Sequence, residues 1–138
     1  IIGDGAFLMS QTELFTASER GIGAIFTIFS DGELAQISQA QSTPYNKKTC
    51  TTLPNLRLKA LVEASGCQYI RIEDNADIDQ KVNQAIELSN QNVPVVLDIN
   101  VDYAKKTRFT KGIIKTNLKR MNLPTKVRMI SRALWRRL

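Results

Sequence analysis

Two short turns carry the residue types best suited to chemistry in this sequence, Gly3-Asp4-Gly5 and Ser30-Asp31-Gly32. Each places an aspartate beside glycine just after an apolar run. Glycine lets the backbone turn sharply and brings its N–H groups close to anionic oxygens. The aspartate offers a hard oxygen ligand to Mg²⁺, and a helix that starts at the turn adds positive partial charge. A lone Gly-Asp-Gly is also what an ordinary tight βα turn looks like. The second turn matters because Mg²⁺ takes one or two carboxylates together with ligand phosphates and water. If the two runs are neighbouring strands, Asp4 and Asp31 supply that pair.

Several other chemistries drop out. The chain has no histidine, which removes Ser-His-Asp and Cys-His arrangements and any histidine-bound zinc. Cys50 and Cys67 lack metal-ligand spacing and make no disulfide framework, so a reduced, cytosolic setting fits best. No apolar run reaches the length of roughly 18–20 residues needed to cross a membrane as a helix. Ile1-Ile2 reads as the end of a strand whose earlier part has been cut away.

The turns need elements to hold them. A capping box at Ser10 and Glu13 predicts a helix from Ser10 to Arg20, followed by a buried strand over Ala24–Phe29. Between Gln36 and Pro54 the sequence is polar and turn-rich, which suits a functional loop or a short helix plus loop. Leu56, Leu58, Leu61 and Val62 mark a helix face that ends at Gly66, and Tyr69–Ile72 reads as a strand. Asp77–Asn90 follows as a helix with Ile78, Val82, Ala85 and Ile86 inward, and Val93–Ile99 as the last strand. Strands alternating with helices predict an α/β fold: a doubly wound, mostly parallel sheet with helices on both faces, and ligands at the carboxyl ends of its strands. Cys67 reads as a small packed residue. Asp98 and Asp102 read as solvated strand-end carboxylates.

Charge divides the chain. Residues 1–103 hold seven Lys/Arg and all thirteen Asp/Glu, whereas residues 104–138 hold twelve Lys/Arg and no acid. The expected organisation is therefore one domain over 1–103 and a basic tail over 104–138. After Pro124 the tail predicts an amphipathic helix, with Val127, Ile130, Leu134 and Trp135 beside Arg128, Arg132, Arg136 and Arg137. Three roles fit it: packing on the rest of the protein, attachment to an anionic membrane surface, and nucleic-acid binding, the last without a recognised motif.

The order Gly3-Asp4-Gly5-Ala6-Phe7-Leu8-Met9, Glu13-Leu14, Thr16-Ala17 and Phe29-Ser30-Asp31-Gly32 resembles the signature of thiamine-diphosphate-dependent enzymes. The likeness runs on through Gln39, Gln41, Pro54, Leu61, Gly66 and Val95–Asp102, and within the family it is nearest to acetolactate synthases. The resemblance implies that Gly3, Asp4, Gly5, Ala6, Asp31, Glu33 and Leu34 bind thiamine diphosphate. Asp4 and Asp31 would ligate Mg²⁺ through their side chains and Glu33 through its main-chain carbonyl, while the backbone at Gly5, Ala6 and Leu34 would contact the diphosphate.

The reaction so implied is decarboxylation of a 2-oxo acid such as pyruvate followed by carboligation, with simple decarboxylase or oxidase action as the alternative. Ser30 stands where relatives often have Asn. Ala40 stands where acetolactate synthases commonly have Trp, and Gln36 where many have Met, both on the substrate side. The activating glutamate is expected in an N-terminal domain of a partner subunit, so the resemblance implies at least a homodimer and no turnover by this chain alone. It leaves room for FAD in a middle domain. A reading of another class makes the domain a non-enzymatic scaffold whose basic tail binds a membrane or partner.

Overall fold

Side chains along the strands alternate between two apolar clusters, and this alternation sets the layers of the fold. The computed structural model describes residues 1–102, 116 and 119–135. These fall into two compact units, one formed by Ile1–Gly32 with Leu53–Val101 and the other by Glu33–Thr52 with the described part of Asp102–Leu138.

The first unit holds the sheet. Its strands are β1 (Ile2–Gly3), β2 (Ile25–Ser30), β3 (Gln68–Ile72) and β4 (Val95–Asn100), with α1 (Asp4–Ser10), α2 (Glu13–Glu19), α4 (Leu58–Ala64) and α5 (Ile78–Asn90) between them. All pairings are parallel, in the order β1-β2-β4-β3. One face carries Phe26 and Ile28 of β2, Tyr69 of β3 and Val96 of β4, covered by Phe7, Leu14, Leu58 and Val62 from α1, α2 and α4. The other carries Ile25, Ile70, Ile72, Val95, Leu97 and Ile99, covered by Val82, Ala85 and Leu88 of α5. The period of two along a strand sends neighbouring residues into opposite clusters, so both faces of β4 are buried. The doubly wound α/β architecture expected from the sequence is therefore present.

Three details differ from the sequence reading. The first helix starts at Asp4, directly after extended Gly3, and Ser10 closes it instead of opening the next one. The Ser10 hydroxyl turns back to the carbonyls of Ala6 and Phe7, and α2 begins at Glu13 with no side-chain cap from Thr12. Phe7 and Leu14 must both enter the same core cluster, and a break at Gln11–Thr12 allows it. In α5, Val82, Ala85 and Leu88 face the sheet, which leaves Ile78 and Ile86 39% and 43% exposed rather than inward. Leu56 precedes α4 and packs against the core from the loop.

The second unit contains α3 (Ala35–Tyr45) and α6 (Leu123–Trp135), which pack on each other. Helix α6 starts close to where Pro124 predicts it. Its buried residue is Met129, while Leu123, Val127, Ile130 and Leu134, spaced four, three and four apart, are between 48% and 74% exposed. Among the described residues, this stripe is therefore not where α6 is buried. Phe109, Ile113, Ile114, Leu118, Arg136 and Arg137 of the tail lie outside the described residues.

Candidate functional site

Strand β1 delivers Asp4, and strand β2 delivers Asp31, at the same edge of the sheet, because Gly3 pairs with Phe29 in the parallel register. The carboxylate of Asp4 binds the turn that follows β2. Its Oδ2 accepts hydrogen bonds from the backbone N–H of Asp31 (3.1 Å) and of Gly32 (2.8 Å), and its Oδ1 accepts one from the N–H of Gly5 (2.8 Å). Gly32 has a φ of +71°, a left-handed conformation that suits glycine. Its carbonyl accepts a hydrogen bond from the N–H of Leu53, which ties the turn to the segment leading into α4. The two turns singled out by composition therefore form one structure.

A cavity of about 490 Å³ opens at this edge. Asp4, Ser30, Asp31, Arg71, Asp98 and Asn100 give it a polar side, and Phe7, Leu56 and Leu58 give it an apolar one. All of these belong to the first unit. A Cβ built on Gly3 or Gly32 would meet no heavy atom within 4 Å, so the backbone at both turns borders open space.

Asp98 corrects the sequence reading. It is 1% exposed, not a solvated strand-end carboxylate. Along β4 it shares the parity of Val96, so it points to the α1–α2–α4 face, where Ile28 of β2 and Arg71 of β3 are its direct neighbours in register. Burying a carboxylate is expensive unless donors surround it. Here Ser30 Oγ donates to Oδ1 (2.6 Å), and Tyr69 Oη (2.6 Å) and the Arg71 guanidinium donate to Oδ2. Burial and the bond to Asp98 together push the Tyr69 hydroxyl up to about 12, which keeps it a donor. Burial works against the charge of Arg71, but the hydrogen bond and field of Asp98 outweigh it and raise its pKa. Lys81 Nζ also reaches the carbonyl of Arg71 (2.7 Å). The signal was present in the sequence: Asp98 and Arg71 are charged residues inside two segments read as strands, and each needs the other.

Glu33 and Leu34 lie in the second unit. The Glu33 carboxylate accepts from Lys48 Nζ (2.9 Å) and Thr51 Oγ1 (2.9 Å), and the Lys48 bond is the main reason its pKa is lowered. Its carbonyl accepts from the N–H of Ala35, and the N–H of Leu34 is given to the carbonyl of Thr51. As placed, Leu34 has no backbone donor to spare for a ligand. Asp102 is exposed.

The donor set fits a magnesium diphosphate. Among the described residues no group of three or more His, Cys, Asp or Glu side chains could hold a metal by itself. Two carboxylates on adjacent strand ends, beside open glycine turns, match an ion that draws its remaining ligands from phosphate oxygens, a backbone carbonyl and water. Also among the described residues, no helix is long and apolar enough to cross a membrane.

Comparison with known proteins gives one family. The sequence model described as "Thiamine pyrophosphate enzyme, C-terminal TPP binding domain" matches residues 1–99. A "Probable acetolactate synthase large subunit" of Methanocaldococcus jannaschii is 35% identical over 107 residues, which cover 76% of this chain and 18% of that protein. The acetolactate synthase large subunit IlvB1 of Mycobacterium tuberculosis is 32% identical over 109 residues, covering 73% and 17%. Among solved structures, one described as a thiamin diphosphate-dependent enzyme from Mycobacterium smegmatis superposes with a TM-score of 0.57 at 21% identity, over 71% of this chain and 17% of that one. The likeness to that structure shows the fold. The chain spans less than a fifth of the length of these relatives.

Proposed function

Since the chain belongs to the family of C-terminal TPP-binding domains of thiamine pyrophosphate enzymes, we propose that it holds the diphosphate and Mg²⁺ in an enzyme of the acetolactate synthase type. The observation that carries this reading is the hydrogen bonding of Asp4 to the backbone of Asp31 and Gly32, which puts two carboxylates at one sheet edge. Asp4 and Asp31 would ligate the metal, with the backbone of Gly3, Gly5 and Ala6 lining the diphosphate. When bound, the cofactor supplies the electron sink for decarboxylation of a 2-oxo acid such as pyruvate, and the protein supplies orientation and electrostatics. The apolar wall of Phe7, Leu56 and Leu58 would limit water at a bound ligand, which would strengthen the pull of the carboxylates on the metal.

Acetolactate formation is the favoured reaction because the two relatives described above carry that name. Ala40 and Gln36, at positions where synthases commonly have Trp and Met, keep a simple decarboxylase or oxidase as the alternative. The activating glutamate would come from an N-terminal domain of a partner subunit in a homodimer, and any FAD would sit in a middle domain. A cytoplasmic location belongs to the same proposal, supported by two unpaired cysteines, Cys50 and Cys67. Isothermal titration of the full-length protein with thiamine diphosphate tests the reading: binding that requires Mg²⁺ supports it, and an absence of metal-dependent binding removes it.

For the tail, the exposed stripe of Leu123, Val127, Ile130 and Leu134 in a segment without acids favours attachment to an anionic surface.

A further inference from the structure

The family resemblance gives Asp4 and Asp31 their roles but says nothing of what holds Asp31 in place. One side of its turn is held by Asp4. The other side is held through Ser30, the last residue of β2, whose hydroxyl donates to Asp98. Asp98 is one strand over and almost wholly buried, and Tyr69 and Arg71 of the next strand lock its second oxygen. Three parallel strands are thereby pinned together at their carboxyl ends, on the face that borders the cavity shared with Asp4 and Asp31. The backbone repeats the link, because the N–H of Val101 donates to the carbonyl of Ser30 (3.1 Å). A buried charge is poor value as a pure stabiliser, since apolar residues of similar volume usually do as well. What an ionic anchor adds is a fixed geometry, as its donors have one satisfactory arrangement.

We propose that Ser30 and Asp98 are positioning residues: the Ser30–Asp98 hydrogen bond sets the end of β2 and thereby fixes the separation of Asp31 from Asp4. The inference rests on the metal-diphosphate reading of those two aspartates. It assigns no contact with the ligand to Asp98 itself, whose side chain is almost wholly buried. Its substance is that the metal site depends on a side chain two strands away from β1, through a single hydroxyl.

The test compares wild type, Ser30→Ala and Ser30→Thr in the full-length protein with two readouts. The first is local and needs no cofactor: hydrogen exchange of a peptide spanning Asp31 and Gly32, whose N–H groups Asp4 holds. Ser30→Ala is expected to raise their exchange roughly tenfold, as loss of one hydrogen bond to a buried charge would, with exchange in the α5 peptide unchanged. The second is the Mg²⁺ concentration needed for half-maximal cofactor binding, expected to rise roughly tenfold in Ser30→Ala and to return toward wild type in Ser30→Thr, which restores the hydroxyl. A residue that merely supports the fold would instead lower stability and raise exchange throughout the sheet. Unchanged exchange at Asp31 and Gly32 together with unchanged Mg²⁺ dependence in Ser30→Ala overturns the inference and leaves the metal-site reading standing. Failure of the wild type itself to bind cofactor with Mg²⁺ overturns both.

Discussion

Replacing Asp98 by alanine tests whether the polar network is a buried anchor or an incidental contact. The substitution removes a carboxylate that is 1% exposed and takes the acceptor from three donors at once. The two hydroxyls, on Ser30 and Tyr69, are part-buried, and losing each hydrogen bond costs about 1 kcal/mol. Breaking a fully buried ion pair costs about 3–5 kcal/mol, but the Arg71 side chain is 33% exposed and its Nε still donates to Glu73 (3.3 Å), so water and Glu73 recover part of that. The expected loss is about 3–4 kcal/mol, a large share of a small domain's stability. Asp98→Asn keeps an oxygen acceptor and loses the charge, and should cost about half as much. Equilibrium urea unfolding followed by circular dichroism measures both. A change of less than about 0.5 kcal/mol for Asp98→Ala, the scale of a surface substitution, would refute the reasoning and restore the solvated reading of this residue.

Gly23→Ala places a Cβ against the carbonyl oxygen of Ser89, a backbone atom that cannot step aside, and should destabilise the domain by about 3 kcal/mol or more in the same unfolding assay. Gly32→Ala meets open space but must hold a φ of +71°, and should cost only about 1 kcal/mol. Tyr69 should ionise near pH 12 in the folded protein, against about 10 in an unfolded chain. The raised value means that its contribution to stability is complete below pH 10 and is lost as pH rises through 12. Ultraviolet difference titration of wild type against Tyr69→Phe would show the late component. Trp135, the single tryptophan and 85% exposed, should shift its emission to the blue on vesicles of anionic lipid and not on neutral ones, with high salt weakening the effect. Emission already blue without lipid would mean that α6 is covered by protein.

Long apolar runs made the sheet legible. Ala24–Phe29 reads as a strand covered on both sides and Val93–Ile99 as the last strand, and the Gly-Asp-Gly and Ser-Asp-Gly turns fall at the ends of β1 and β2. Local signals misled where two of them competed. Ser10 and Glu13 form a capping pattern, yet Gly3-Asp4 starts the helix earlier, and the core's demand for both Phe7 and Leu14 settles the break between them. Asp98 was misread by composition, since a carboxylate near a strand end is usually wet. Its parity with Val96, and that of Arg71 with Tyr69, could have placed both in one buried row. The contacts of Glu33 and Leu34 with Lys48 and Thr51 were out of reach, because they close a polar loop across 15 to 18 residues with no periodic pattern to reveal its pairing.

The central claim is that Asp4 and Asp31 form one metal-diphosphate site, and calorimetric titration of the full-length Asp31→Ala protein with thiamine diphosphate at a series of Mg²⁺ concentrations tests it most directly. Loss of one of two carboxylates should weaken metal-dependent binding at least tenfold, with the melting temperature of the cofactor-free protein close to that of wild type. Cofactor affinity and Mg²⁺ dependence equal to those of wild type would contradict the account.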